Sequence, residues 1–202
     1  MNLPNKITIA RIMMIFIFLV ICNIDEYLPE GISKIWRLTA LVFAILAGIT
    51  DILDGYIARK YNMITDFGRL MDPLADKIFM ATTFIMLVDK GILAGWVAVV
   101  VLSREFLVTG LRLLATNKGE VISADVTGKL KTSLQMAFLV IGGSFWVMGY
   151  DREALKINYI YGIKLYTLWQ ISVSIIIFIT VYSGLNYFIR FRHLYLTESN
   201  KK

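Results

Sequence analysis

Residues Asp51–Asp76 read DILDGYIARKYNMITDFGRLMDPLAD, and they lie between two strongly apolar segments of the chain. Five of these residues are aspartates, and four of the five recur at helical spacing. An ionised carboxylate at membrane depth is energetically costly unless it is paired, so intramembrane acids are usually functional. The stretch therefore indicates a polar site built between helices that are otherwise apolar.

The whole chain is too apolar for an ordinary soluble domain, with 57% hydrophobic residues among 202 and a mean hydropathy of +0.67. A membrane-spanning helix needs about 20 mainly apolar residues. Six segments meet that requirement: Ile7–Ile24, Ile35–Tyr56, Arg69–Val88, Ile92–Ala115, Leu130–Met148 and Leu165–Ile189. We therefore predict an all-α integral membrane protein, a six-transmembrane-helix bundle that forms a single domain over residues 1–202.

The 21 Lys and Arg residues are distributed unevenly between the ends of these segments. If the amino terminus is cytoplasmic, fifteen of them flank the inner ends and six flank the outer ends. The positive-inside rule then predicts a multi-pass protein of the cell membrane with both termini in the cytoplasm. The net charge of +6 does not indicate nucleic-acid binding, because no basic helix or arm stands free of the apolar segments.

The four regularly spaced aspartates fall on two neighbouring segments. A helix turns by about 100° per residue, so Asp51 and Asp54 lie about 60° apart on one face. Asp72 and Asp76 are four residues apart and share a face in the same way. The short connection at residues 61–68 makes the two helices antiparallel neighbours. We therefore expect the four carboxylates to meet in an active-site cavity at the cytoplasmic side of the bundle.

Four clustered carboxylates repel one another and need compensating cations. Arg59 and Arg69 can supply part of the charge, but Mg²⁺ or Mn²⁺ prefers carboxylate oxygens, and two such ions can share a site roughly 3.5–4 Å apart. The spacing thus predicts a centre with two metal ions. The alternative, helix caps and interfacial charges, accounts for Asp66 and for Asp72 before Pro73, but it does not explain all four.

The same stretch resembles the signature of the CDP-alcohol phosphotransferase family. It reads Asp51-x-x-Asp54-Gly55-x-x-Ala58-Arg59, then eight residues, then Gly68-x-x-x-Asp72-x-x-x-Asp76. The opening NLPNKITIARI and the segment SREFLVTGLRLLA are similar to bacterial members of the family that use glycerol 3-phosphate. The resemblance covers the first two-thirds of the chain. It implies a homodimeric membrane enzyme that transfers a phosphatidyl group from CDP-diacylglycerol to an alcohol and releases CMP.

The resemblance also implies roles for individual residues. Asp51, Asp54 and Asp72 would hold the first metal ion, and Asp51, Asp72 and Asp76 the second. Asp76 would also be the catalytic general base. The implied contacts of CDP-diacylglycerol are Asn5, Thr8, Arg11, Gly55, Arg59, Thr65 and Gly68. Independently of the resemblance, Gly55 and Gly68 would let a bulky ligand approach the backbone beside the carboxylates.

A phosphorylated acceptor needs a cationic site of its own. The candidates, all on the inner half of the predicted topology, are Arg104, Arg112, Lys129, Lys131 and Arg190. Arg104 is the most informative, because it lies inside an apolar segment, where a charge without a function would be costly. Two alternatives remain open: a structural pairing of Arg104 with Glu105 or an aspartate, and a role for Lys129 and Lys131 as ordinary positive-inside anchors.

Three other classes of protein would also carry acids among apolar helices. A transporter would show internal repeats and acids spread along a path, which this chain lacks. Prenyltransferases carry two acidic motifs far apart in sequence, and a membrane scaffold would not need the observed spacing. The nearest alternative is an enzyme of the same family whose acceptor is inositol phosphate or serine.

Overall fold

The computed structural model describes residues 3–60, 66–119 and 126–196. Within these ranges most side chains are described. The predicted site residues whose side chains lie outside the description are Asn5, Asp51, Asp54, Arg59, Asp72 and Lys129, and Thr65 lies outside it altogether.

Six long helices occur in these ranges: α1 Leu3–Ile24, α2 Glu30–Lys60, α3 Asp66–Asp89, α4 Gly95–Asn117, α5 Val126–Val147 and α7 Leu165–Arg190. The shorter elements are a 3-10 turn Asp25–Tyr27, α6 Arg152–Ile157, strands β1 Tyr159–Ile160 and β2 Ile163–Lys164, and α8 His193–Leu196. The long helices follow the six predicted segments in order. The predominantly helical class is therefore confirmed.

Four helices of the described ranges are long and apolar enough to cross a membrane, over Thr8–Tyr27, Gly31–Ile49, Leu130–Val147 and Leu165–Arg190. They indicate a multi-pass membrane protein. The segments in α3 and α4 are not among the four. Both helices carry charged residues within their length, such as Asp76 in α3 and Arg104 in α4. The membrane crossing of α3 and α4, and hence the six-span bundle, stays a prediction.

Contacts along the chain form two compact units. Unit 1 comprises Met1–Leu93 and Val140–Glu153, and unit 2 comprises Ala94–Leu139 and Ala154–Lys202. The single domain stays a prediction.

In unit 1, α1 packs against both α2 and α3. Its buried face includes Ile15 and Phe18, and α2 contributes the small buried residues Ala40 and Ala47. Small residues let helix backbones approach closely, which is the main source of packing energy between helices in lipid. The carboxyl-terminal part of α5 approaches α2 at Gly143, where an added Cβ would lie 2.8 Å from a methyl group of Leu41. Unit 1 is thus held by close helix contacts.

A buried ion pair joins three of these helices at one end of unit 1. Asp25 is only 3% exposed. It accepts hydrogen bonds from the Ser33 hydroxyl and from Nε of Arg37, at 2.8 Å from Oδ2. Arg37 Nη1 also lies 3.5 Å from the carbonyl oxygen of Trp146 in α5. Since Asp25 follows α1 and Arg37 lies in α2, the pair fixes the ends of α1, α2 and α5 relative to one another.

We expect Asp25→Ala to lower stability strongly, because it leaves the Arg37 charge without its carboxylate partner. Breaking a buried pair from one side typically costs about 3–5 kcal/mol. The measurement is the thermal unfolding midpoint of the purified protein in detergent. Glu26→Gln is the control and should lower stability less, since Glu26 is largely exposed and its partner Lys90, which is mostly buried, keeps Asp89 as a second carboxylate partner at 3.6 Å. Equal shifts for the two variants would contradict the prediction.

In unit 2, α4 packs against α7. The ring of Phe138 in α5 stacks on Trp169 in α7, with centroids 4.5 Å apart. The core also contains polar side chains. Gln135 and Thr180 are fully buried, and Gln135 Nε2 lies 3.4 Å from the Thr180 hydroxyl oxygen. A polar layer within an apolar unit is costly unless it is satisfied, so it indicates a functional region.

Candidate active site

The signature residues lie at the adjoining ends of α2 and α3. Asp51, Asp54 and Gly55 fall in the last three turns of α2, and Asp72 and Asp76 fall in the first three turns of α3. Only residues 61–65 separate the two helices, and α2 contacts α3 directly. The backbone therefore brings the two halves of the motif near each other. The meeting of the four carboxylates stays a prediction, because three of the side chains lie outside the described part.

Asp76 is the one signature carboxylate whose side chain is described, and it is half-buried on α3. Its neighbours Ala75 and Phe79 are buried. One turn earlier, Pro73 interrupts the helical hydrogen bonds because it has no N–H. Lys77 Nζ donates to the Pro73 carbonyl oxygen at 3.3 Å. A half-buried carboxylate next to apolar side chains is suited to accept a proton or to bind a hard cation.

No group of three or more metal-binding side chains occurs among the described residues. That search did not include Asp51, Asp54 or Asp72, which are three of the four predicted ligands. The donor set of four carboxylates on two contacting helices nevertheless fits a divalent cation that prefers oxygen ligands. The centre with two Mg²⁺ or Mn²⁺ ions stays a prediction.

The predicted nucleotide-side residues Thr8 and Arg11 lie on α1 and are each 1% exposed. Because α1 packs against both α2 and α3, these two side chains belong to the same unit as the signature residues. A buried guanidinium requires anionic or polar partners. The position of Arg11 is therefore compatible with the predicted role near a diphosphate.

A cavity of about 650 Å³ in unit 1 is not the predicted active site. Its lining includes Asp25, Arg37, Asp89 and Trp146. Asp89 ends α3, whereas the signature residue Asp72 lies near the start of that helix. The cavity thus lies at the far end of α3 from the motif. A cavity beside the signature residues on the cytoplasmic side stays a prediction.

Unit 2 brings three of the predicted acceptor-site cations together. Arg104 Nη2 donates to the Ser183 hydroxyl at 2.5 Å, and the Arg104 guanidinium lies 5.7 Å from the centre of the Tyr187 ring. Arg112 Nη2 donates to the Tyr187 hydroxyl at 2.9 Å, and its guanidinium lies 5.4 Å from the same ring centre. One buried tyrosine therefore contacts both arginines.

The third cation, Lys131, is 2% exposed and forms an ion pair with Glu105. Arg104 Nη1 lies 3.5 Å from the same carboxylate oxygen, at the limit of a hydrogen bond. Glu105 is thus paired mainly with Lys131, and the closest partner of Arg104 is the neutral Ser183. The structural pairing of Arg104 with Glu105 is therefore present in the structure, at 3.5 Å, beside the hydrogen bond to Ser183, and a role of Arg104 toward an acceptor stays a prediction. Among the contacts that the structure describes here, three cations face one acid, which makes the cluster positive.

The two remaining candidates differ from these three. The Lys129 side chain lies outside the described part. Arg190 is exposed at the end of α7, three residues after Tyr187, and its guanidinium lies 5.6 Å from the Phe191 ring centre. The structure thus gives Arg190 no direct contact with the cluster of Arg104, Arg112 and Lys131, although it lies one turn from Tyr187.

The two residues that accept hydrogen bonds from the arginines of this cluster, Ser183 and Tyr187, were not among the sequence candidates. They lie on α7 together with Thr180, at spacings of three and four residues, and all three are buried. Such spacing places polar groups on one face of an otherwise apolar helix, which is a signal that the sequence contains.

Comparison with known families decides the affiliation. The family model for CDP-alcohol phosphatidyltransferases matches residues 1–196. The chain belongs to the CDP-alcohol phosphatidyltransferase family. The resemblance inferred from the signature Asp51–Asp76 is therefore confirmed, and it extends well beyond the first two-thirds of the chain.

Individual members of the CDP-alcohol phosphatidyltransferase family are similar over nearly the full length. A CDP-diacylglycerol–glycerol-3-phosphate 3-phosphatidyltransferase of Bacillus subtilis is 36% identical over 198 residues, which is 93% of each chain. The protein of that name from Rickettsia typhi is 38% identical over 187 residues, covering 93% of this chain and 95% of its own. A probable phosphatidylglycerophosphate synthase of Mycobacterium tuberculosis matches a shorter part: it is 40% identical over 134 residues, covering 66% of this chain and 62% of its own.

Proposed function

We propose that the protein transfers a phosphatidyl group from CDP-diacylglycerol to glycerol 3-phosphate, giving phosphatidylglycerophosphate and CMP. The observation that carries this proposal is the positive cluster of Arg104, Arg112 and Lys131. A phosphate monoester dianion is a suitable ligand for such a cluster, whereas serine or unphosphorylated glycerol is not. The names of the full-length relatives point to the same acceptor.

The proposed chemistry is a single displacement at phosphorus. Asp76 takes the proton from the acceptor hydroxyl, whose oxygen attacks the β-phosphorus of CDP-diacylglycerol in line with the departing CMP oxygen. One P–O bond forms as the other breaks, so no covalent enzyme intermediate is needed. Two Mg²⁺ or Mn²⁺ ions held by Asp51, Asp54, Asp72 and Asp76 would offset the negative charge of the diphosphate.

The donor site would use residues from α1, from α2, from the connection 61–65 and from the start of α3. In this proposal they are Asn5, Thr8, Arg11, Gly55, Arg59, Thr65 and Gly68. The arginines would pair with phosphate oxygens, and the glycines would let the lipid diphosphate lie against the backbone. The 1% exposure of Arg11 supports a role in a desolvated charge contact.

The acceptor site would use the cationic cluster of unit 2. Ser183 and Tyr187 are neutral, so they hold the arginines by hydrogen bonds without neutralising them. Each planar guanidinium can then present paired N–H groups to phosphate oxygens. Lys129 and Arg190 would complete the positive surround of the acceptor.

The function is tested with purified protein, CDP-diacylglycerol and Mg²⁺, by measuring the release of CMP in the presence of each candidate acceptor. We expect turnover with glycerol 3-phosphate and a much lower rate with glycerol, inositol phosphate or serine. Equal rates with unphosphorylated glycerol would overturn the acceptor assignment. Turnover only with inositol phosphate or serine would assign the alternative activity within the same family. No CMP release with any alcohol would overturn the enzymatic proposal.

We expect Tyr187→Phe to raise the KM for glycerol 3-phosphate while leaving kcat nearly unchanged. The ring that packs against both arginines is kept, but Arg112 loses the acceptor of its 2.9 Å hydrogen bond. A hydrogen bond to a charged group contributes about 1.5–3 kcal/mol, so the rise should be on the order of tenfold or more. Tyr182→Phe, an exposed tyrosine of the same helix, is the control. An unchanged KM in the Tyr187 variant would contradict the prediction.

We further propose that both termini face the cytoplasm and that the enzyme is a homodimer in the cell membrane. The uneven distribution of Lys and Arg supports the orientation. Single cysteines in place of Asn2 and Ser199 should be protected from a membrane-impermeant thiol reagent in intact cells and should react after lysis. Labelling of either position in intact cells would refute the orientation.

Chemical cross-linking in native membranes should yield a dimer.

A further inference from the structure

A β-hairpin directly precedes α7. Strands β1 and β2 pair antiparallel, with Tyr159 opposite Lys164 and Ile160 opposite Ile163. The two-residue loop, Tyr161 and Gly162, has φ values of 48° and 78°. A tight hairpin loop of this kind needs positive φ at both positions, which glycine adopts freely and tyrosine does not. A tyrosine in a strained position suggests that its side chain has a function there.

The hairpin and the residue that leads into it expose an apolar surface. We call this surface the hairpin patch; its members are Ile157, Tyr159, Ile160, Tyr161 and Ile163. Tyr161 is fully exposed and Ile157 is 75% exposed. Isolated exposed apolar residues are common, but five exposed apolar residues within seven positions of the chain, distributed over both faces of the hairpin, would be unfavourable in water. The patch therefore needs a covering partner.

The attachment of the hairpin identifies that partner. Leu165, the first residue of α7, donates its backbone N–H to the Asn158 carbonyl oxygen at 2.9 Å. The segment Leu165–Arg190 is one of the four candidate membrane spans. The hairpin is therefore fixed at the end of a candidate membrane span. If α7 crosses the membrane, that end lies where acyl chains meet lipid headgroups.

The composition of the segment fits this depth. Tyrosines are enriched at membrane interfaces, where the ring is in apolar surroundings and the hydroxyl group reaches water. Lys156 and Lys164 flank the patch, and residues 154–164 contain no acidic residue. Lysine side chains at this level can extend to anionic headgroups. We propose that the hairpin patch inserts into the lipid interface and anchors the amino-terminal end of α7.

The anchor has a consequence for unit 2. A helix rises about 1.5 Å per residue, so Leu165 and Tyr187 lie about 33 Å apart along α7, close to the roughly 30 Å thickness of the hydrocarbon core. With the hairpin held at one interface, Ser183 and Tyr187 lie near the other. The patch thereby sets the depth of the cationic cluster, but the inference does not depend on the proposed reaction.

The test uses full-length protein in vesicles of phosphatidylethanolamine and phosphatidylglycerol. A nitroxide is attached at Tyr161→Cys or Ile157→Cys in a Cys22→Ala background, and its collisions with O₂ and with a water-soluble nickel complex are measured by electron paramagnetic resonance. We expect both nitroxides to collide preferentially with O₂, at a depth of roughly 5–10 Å below the phosphate level. A nitroxide at Glu153→Cys, an exposed site at the start of α6, should collide preferentially with nickel.

Two results would overturn the proposal. Nickel access at position 161 equal to that at 153 would place the patch in water. Spectral broadening at 161 that disappears on dilution with unlabelled protein would show that a second copy of the chain covers the patch instead of lipid.

Discussion

Replacing Asp76 with Asn should abolish turnover while leaving the protein folded. Asparagine has nearly the same shape, but it cannot take a proton from the acceptor hydroxyl at neutral pH, and it removes one negative charge from the proposed metal ligands. General-base catalysis alone contributes roughly 10²–10⁴-fold to a rate, so kcat should fall by at least that range. Asp76 is half-buried on α3, as expected for a carboxylate that lines a site between helices.

The measurement is CMP release at saturating glycerol 3-phosphate, combined with CDP-diacylglycerol binding. Binding of the donor should fall only modestly, because three ligands of the proposed centre remain. Asp89→Asn, at the exposed far end of the same helix, is the matched control and should retain activity. Turnover of the Asp76 variant within a few-fold of the unmodified protein would refute the assignment. Full activity of the unmodified protein in excess EDTA would separately refute the metal requirement.

Hydropathy was sufficient to predict the helices that are apolar throughout. The predicted Leu165–Ile189 and Leu130–Met148 correspond closely to α7, Leu165–Arg190, and α5, Val126–Val147. The prediction was least complete for α2, which extends over Glu30–Lys60 instead of Ile35–Tyr56. A helix continues into polar residues as long as its backbone hydrogen bonds are satisfied, whereas hydropathy reports only the part suited to lipid.

The partners inside unit 2 could not be predicted in the same way. Arg104 was recognised as unusual because of its apolar surroundings, but Ser183, its closest partner, lies 79 positions away. Which residues of two helices meet depends on their rotation and relative height, and neither is encoded in local spacing. The pairing of Glu105 with Lys131 was missed for the same reason: sequence proximity suggested Arg104 instead.

The tyrosine hairpin illustrates a third limit. Gly162 is a turn signal, but a preceding tyrosine with positive φ is not what local preferences favour. The hairpin becomes understandable only from its attachment to α7 through the Leu165–Asn158 hydrogen bond. Local sequence rules do not favour tyrosine there, because they take no account of a lipid interface of the kind that we propose for this hairpin.

Arg104→Ala should mainly weaken the recognition of the acceptor phosphate. Arg104 donates a hydrogen bond to the neutral Ser183 and packs against Tyr187. Its anionic contact among the described residues, Glu105, is 3.5 Å away and also pairs with Lys131, so one carboxylate faces two cations and positive charge remains for an incoming anion. The loss of charge-assisted hydrogen bonds worth about 1.5–3 kcal/mol predicts a rise in the KM for glycerol 3-phosphate of roughly 10–150-fold. The KM for CDP-diacylglycerol should change little. Arg192→Ala, an exposed arginine beyond α7, is the control.

A comparison of acceptors separates recognition from structural damage. With Arg104 present, the preference for glycerol 3-phosphate over glycerol includes the contact of its guanidinium with the phosphate. In Arg104→Ala the ratio of kcat/KM for glycerol 3-phosphate to that for glycerol should fall by the same factor by which the KM for glycerol 3-phosphate rises. Glycerol has no phosphate group for Arg104 to contact, so its rate should not depend on this residue. Arg104→Lys should recover only part of it, since an ammonium group keeps the charge but cannot present a planar pair of donors. If Arg104→Ala lowered the rates with both acceptors equally, Arg104 would be a structural residue, and phosphate recognition would have to be assigned to Arg112 and Lys131.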